Sequence, residues 1–114
     1  MEKIYNKLVR DKIPEIIRQD GKIAVTRILN DNEYKIELMK KLLEECNEVL
    51  NSSDSSSLIE ELADVLEVIR SIALNENCSF SELLEVAKEK ENDRGGFNER
   101  IYLIKTISKE SENE

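Results

Sequence analysis

The side chains with the clearest chemical potential in this sequence are carboxylates. Two acidic clusters, Glu44-Glu45-x-x-Glu48 and Glu60-Glu61-x-x-Asp64, each set two acids at i and i+3: Glu45 with Glu48, and Glu61 with Asp64. On a helix such neighbours share a face about one turn apart, so each pair can grip one cation. Oxygen-only donors select a hard ion, Mg²⁺ or Mn²⁺, over zinc.

The chemistry available elsewhere is narrow. The 114 residues include no histidine, which removes Ser-His-Asp triads, histidine general bases, HExxH zinc hydrolases and Cys/His fingers. The formal charge is −8, from 25 Asp+Glu against 17 Lys+Arg. Acid is concentrated between residues 28 and 91, with sixteen acidic and six basic side chains, whereas residues 1 to 27 hold seven basic and four acidic. A binder that works by neutralising nucleic-acid phosphates has the opposite sign, so no nucleic-acid partner is expected. Cys46 and Cys78 form no zinc or redox spacing, and no apolar run is long enough to span a bilayer. These features lead us to expect a cytoplasmic protein with reduced thiols and no membrane partner.

Length and composition set the frame that must hold the acids. A chain this long fits one domain, expected over residues 1–107, with a polar, disordered tail at 108–114. Aromatic residues make up 4% of the chain and tryptophan is absent, so the core must be aliphatic, which favours packed helices. Pro14 fits the first turn of a short helix reaching about Gln19, with Gly21 as its stop. From about Glu33 to Leu50, residues Ile36, Met39, Leu42, Leu43, Cys46, Val49 and Leu50 repeat at three-and-four spacing, with Leu38 at the stripe's edge. Cys46 therefore reads as a core residue.

Residues 51–57 form a polar linker, and Ser57 or a neighbouring serine can cap a helix from about Leu58 to Leu74, with Glu60 completing a capping box. A linker this short between two long amphipathic helices predicts an antiparallel hairpin. Another helix, about Phe80 to Glu91, opens with Ser79-x-x-Glu82 and is followed by Gly95-Gly96. The β-branched segments 23–29 and 101–107 read as two short strands that can pair. The fold class expected is all-α with a minor two-stranded sheet. One hairpin has too few helices to cover its carboxylate side, so a homodimer is expected whose hairpins complete a four-helix bundle, with sites near the interface.

Measured from the middle of its own apolar stripe, each acidic pair lies at roughly 100° and roughly 160°, in the same sense on both helices. Each cross-pair is also symmetric about the linker, which sets Glu45 level with Asp64 and Glu48 level with Glu61. Four carboxylates then converge. Like charges about 4 Å apart repel by roughly 4 kcal/mol at an effective dielectric of 20, so such a cluster demands a counterion. The same offsets also describe a plain solvated face, and Lys41 with Glu45 is a possible surface ion pair. Both readings stay open at this level.

The acidic motif, Glu44-Glu45-x-x-Glu48, a twelve-residue gap and Glu61-x-x-Asp64, resembles the signature of the MazG-like all-α nucleoside triphosphate pyrophosphatases. The opening Tyr5-Asn6-Lys7-Leu8-Val9-Arg10-Asp11-Lys12-Ile13-Pro14 and the closing Lys90-x-x-x-Arg94-Gly95-Gly96-Phe97-x-x-Arg100-Ile101 look like the small house-cleaning, or phosphoribosyl-ATP pyrophosphohydrolase-like, branch. Asp93 stands where that branch leads us to expect a basic residue. The resemblance implies Mg²⁺-dependent hydrolysis of a nucleoside triphosphate to the monophosphate and pyrophosphate, clearing non-standard nucleotides. It implies Glu45, Glu48, Glu61 and Asp64 as metal ligands, with Glu48 or nearby Glu44 handling the water proton. Lys7, Arg10, Lys12, Lys41, Lys90, Arg94 and Arg100 become the cationic contacts to polyphosphate. A metal-activated water makes a histidine base unnecessary. The alternatives are phosphoribosyl-ATP as substrate, or a non-catalytic helical binding or regulatory module that keeps the acidic face.

Overall fold

The structure, a computed structural model, describes residues 1–109. It contains four helices, α1 (Ile13–Gln19), α2 (Asp31–Leu50), α3 (Ser55–Asn75) and α4 (Phe80–Arg94). The chain falls into two compact units, Met1–Leu83 and Leu84–Glu114, and α4 runs through the boundary. Residues 110–114 of the expected tail lie outside the described residues.

Each helix of the first unit is bounded by local chemistry that can be traced to its residues. Pro14 occupies the first turn of α1, where a missing N–H is harmless. Gly21, at φ 81°, ends that helix, with Gly21 N donating to Arg18 O and Lys22 N to Ile17 O. At the start of α2, Asn30 Oδ1 accepts from Glu33 N at 2.9 Å and Glu33 Oε1 accepts from Asn30 N at 3.2 Å, a complete capping box. Arg27 adds a two-pronged grip on the Glu33 carboxylate at 2.8 and 3.1 Å. That guanidinium, with the Asn30 N–H, holds the Glu33 carboxyl down at about 2.

The α2–α3 connection is shorter than the polar composition suggests. Asp54, and not Ser57, is the cap, its Oδ1 accepting from Ser57 N at 2.8 Å. A carboxylate is a charge-assisted acceptor at a helix N-terminus, so Ser55, Ser56 and Ser57 become helical and the expected Ser57–Glu60 box gives way. At the far end Asn77 takes φ 60°, with Asn77 N donating to Leu74 O and Cys78 N to Ala73 O, an asparagine version of the glycine stop. Ser79 and Glu82 form the box expected ahead of α4, with Glu82 N donating to Ser79 Oγ at 3.1 Å and Ser79 N to Glu82 Oε1 at 3.3 Å.

Helices α2 and α3 pack against each other, and Lys35 near the start of α2 bonds Glu76 at the end of α3 at 3.1 Å, so they run antiparallel. Leu38, Val68 and Ala73 are the buried apolar residues among those described. The contact uses only one side of each broad apolar arc. On α2 the half-buried side is Leu38, Leu42, Glu45 and Val49, whereas Ile36, Met39, Leu43 and Leu50 face outward. On α3 it is Glu61, Asp64, Val65, Val68 and Ile72, whereas Ile59, Leu62 and Leu66 face outward. Leu38, expected at the stripe's edge, is the most buried residue of α2.

The all-α class stands, without the sheet. Neither 23–29 nor 101–107 forms a strand, and no strand occurs among the described residues. Ile23, Val25, Ile28, Tyr102 and Ile104 are almost fully exposed, and a lone two-stranded ribbon with no packed face is marginal in water. No described helix is long and apolar enough to cross a membrane. The α2 cap is the most exposed of these devices to test. Asn30→Ala should lower the unfolding free energy by about 1 kcal/mol, measured by urea denaturation at neutral pH; an unchanged midpoint would mean that the Arg27–Glu33 pair alone holds that helix start.

Candidate metal centre

Because the hairpin packs through Leu38 and Val68, the residues one or two turns away on the same faces meet across the helix pair. Glu45 of α2 and Glu61 and Asp64 of α3 each direct one carboxylate oxygen into a group whose members lie within 4.8 Å of one another. All three side chains are half-buried. Glu48 is exposed and outside that group, although its charge still acts on Glu61.

Three cationic side chains lie against this acid. Lys41, with 15% of its side chain exposed, reaches Glu44 Oε2 at 3.2 Å and Glu45 Oε1 at 3.5 Å. The other two come from the segment ahead of α1: Lys7 Nζ donates to Glu44 Oε1 at 3.0 Å, and Arg10 Nη2 donates to Asp64 Oδ1 at 2.8 Å. Residues 7 to 10 thus reach from α2 to α3. Burial pushes the Glu44 carboxyl up, but hydrogen bonds from the Lys7 and Lys41 ammonium groups outweigh it and hold it below its ordinary value. The bond to Glu44 raises the Lys7 ammonium in turn.

Glu61 is different. Among the described residues no cation pairs with it, and its carboxyl is raised above the ordinary 4.5, first by burial and then by the charges of Asp64, Glu48, Glu45 and Glu60. The three grouped carboxylates therefore share two organic counterions, on Glu45 and Asp64, and leave the third uncompensated.

Beside Asp64 a cleft of about 260 Å³ opens between Arg10, Ala63, Leu66, Glu67, Arg70 and Phe80. Arg70 and Phe80 are neighbours of the centre that sequence reading passes over: Arg70 carries no motif, and Phe80 reads as one more apolar residue of α4. Lys12 is exposed at the start of α1. Lys90, Arg94 and Arg100 belong to the second unit, where Arg94 and Arg100 line a cleft of about 310 Å³ around Gly95, Gly96 and Phe97. Arg100 holds φ 59° there.

The donor set fits a hard divalent cation. Oxygens on one Mg²⁺ lie about 2.0–2.1 Å from the metal and so about 3 to 4 Å from each other, and the three oxygens are already within 4.8 Å. Glu45, Glu61 and Asp64 would hold the ion, and Glu48, two residues before the end of α2, is the next carboxylate along the helix.

No family model and no solved structure matches the chain. A curated protein of Mycolicibacterium smegmatis, described as uncharacterized, is 43% identical over 53 residues, which is 46% of this chain and 54% of that protein. The match thus spans about half the length of that relative.

The uncompensated carboxyl sets a testable sign. With the folded-state value raised above 4.5, the folded chain holds the Glu61 proton more tightly than the unfolded chain does. This contribution to stability is fully present below the ordinary value and is lost as pH rises through the raised one. Glu61→Gln should therefore raise the melting temperature at pH 7 in EDTA and leave it little changed below pH 4. A lower melting temperature for the variant at pH 7 would mean that the Glu61 charge is compensated.

Proposed function

We propose that this protein is a Mg²⁺-dependent nucleoside triphosphate pyrophosphohydrolase, converting a nucleoside triphosphate and water to the monophosphate and pyrophosphate. The observation that supports it most directly is the meeting of Glu45, Glu61 and Asp64 across two antiparallel helices. The resemblance of the acidic motif and of the two flanking motifs to MazG-like enzymes supplies the reaction. Magnesium, when bound, neutralises phosphate charge and acidifies the attacking water.

The chain's own residues do the rest. Glu45, Glu61 and Asp64 hold the cation, and Glu48 accepts the proton of the water that attacks the α-phosphorus. The bond from that phosphorus to the α,β-bridging oxygen breaks, and the electron pair leaves on pyrophosphate. Lys7 and Arg10, already across the carboxylate side of the hairpin, and Lys41 and Lys12 balance the polyphosphate. Phosphoribosyl-ATP is the alternative substrate within this chemistry, and cytoplasmic nucleotide clearance is the expected setting.

A second copy of the chain completes the fold in this reading. Ile36, Met39 and Leu43 on α2 and Ile59, Leu62 and Leu66 on α3 are 45% to 65% exposed. Equal displacement around each helix of an antiparallel pair sets the two rows on one side of the hairpin. Two such hairpins stacked through these rows make a four-helix bundle, and the isologous contact closes as a dimer.

Pyrophosphate release is the test of activity, screened over standard, deoxy and damaged nucleotides and phosphoribosyl-ATP. The wild type should turn over one class only with Mg²⁺ or Mn²⁺, and Glu45→Gln and Asp64→Asn should each lose that turnover while keeping their helical circular dichroism. Retained turnover would remove those carboxylates from the reaction; no turnover on any substrate, with a melting temperature indifferent to Mg²⁺, would favour the non-catalytic binding module. The assembly has its own check. Leu43→Glu with Leu62→Glu should convert the dimer to a monomer in sedimentation equilibrium, and a wild type that is already monomeric would refute the bundle.

A further inference from the structure

Asp64 and Glu45 both carry an organic cation, but the two are held very differently. Lys41 sits one turn from Glu45 on the same helix, and both side chains are only 15% exposed, so this ammonium is built into the hairpin. Arg10 comes from outside the hairpin, on a segment with no regular secondary structure. Its side chain is 56% exposed and that of Asp64 43%. Ion pairs so open to water are worth little, and the side chain that makes them is readily exchanged for another cation.

We propose that Arg10 is a resident counterion of the carboxylate centre, displaced from Asp64 when a divalent cation enters and then free to meet an anion in the adjoining cleft. The inference rests on the metal reading given above and adds to it an order of events. Direct contact of Arg10 with Asp64 and direct coordination of Asp64 by the ion set two positive charges against each other at one carboxylate, which favours release. Arg10 lines the cleft that Arg70 also lines, so its nearest alternative position is beside a second guanidinium. Arg70 is paired there with Glu67 of its own helix at 3.7 Å, a loose and exposed contact, and phosphate oxygens match the donor geometry of both guanidiniums. Cation and polyphosphate binding are thereby coupled through one side chain, the cation first making Arg10 available. Arg10 competes with the cation for Asp64 and meets the polyphosphate only after release.

Direct binding of Mn²⁺ alone, with free ion counted by electron paramagnetic resonance, separates this from its competitors. Arg10→Gln should bind Mn²⁺ about fivefold more tightly than the wild type, the factor that an exposed ion pair can withhold. Arg10→Lys should return towards the wild-type affinity. Lys7→Gln removes an equal charge from the same segment without touching Asp64, and should gain less than twofold. In the wild type, Mg²⁺ should move the Arg10 Nε–H resonance to the position of a solvated guanidinium. Unchanged or weaker Mn²⁺ binding in Arg10→Gln would overturn displacement, because Arg10 would then be orienting Asp64 for the ion. Equal gains in Arg10→Gln and Lys7→Gln would overturn it in favour of the general field. No Mn²⁺ bound by wild type or variant would refute the metal reading itself, and the inference with it.

Discussion

The rest of the structure depends on the repulsion among carboxylates that the hairpin's packing forces together. Glu45, Glu61 and Asp64 lie on the faces through which α2 and α3 meet, within 4.8 Å of one another and half-buried. Water screens such charges less than it would on an open helix face. The chain answers with Lys41 on Glu45 and Arg10 on Asp64, and leaves Glu61 to protonate more readily than a free carboxyl. An arrangement chosen only for stability would not set the least compensated acid in the helix contact. A divalent cation is the simplest group that satisfies all three at once.

The same packing explains why the hairpin is poorly covered. A helix with acids on its contact face has less of that face to fill with leucine, and the buried core of the described residues is accordingly Leu38, Val68 and Ala73. The apolar residues that would otherwise deepen it are displaced around each helix to a second face, Met39, Leu43, Leu62 and Leu66 among them, where they are about half exposed. Acids between the helices and leucines outside are therefore two results of one register. A protein that keeps charge in its helix seam leaves part of its apolar surface uncovered, as Met39, Leu43, Leu62 and Leu66 are.

Much of this was legible from residue order, for reasons that differ by element. The helices α2, α3 and α4 announce themselves by apolar period, and the Ser79–Glu82 box and the Pro14 start follow from local hydrogen bonding alone. Symmetric distance to the linker set Glu45 level with Asp64, which do meet, and Glu48 level with Glu61, but Glu48 stays outside the group. The part of the apolar arc that packs was not, because period fixes an arc and tertiary contact selects a sector of it; hence the surprise at Leu38. The start of α3 turned on a competition between Asp54 and Ser57 for the same N–H groups, which composition does not rank. The segments 23–29 and 101–107 have strand chemistry without a sheet to join, since β-propensity reflects the surface a strand packs on. The Arg10–Asp64 contact joins residues 54 positions apart and leaves no periodic trace.

The central claim is that one hard cation occupies the centre of the hairpin's acids. Crystals grown or soaked with Mn²⁺ and measured at the manganese absorption edge test it most directly. The account predicts an anomalous peak bounded by carboxylate oxygens of Glu45, Glu61 and Asp64. A map with no peak there, or with manganese only on other surface acids, would contradict it.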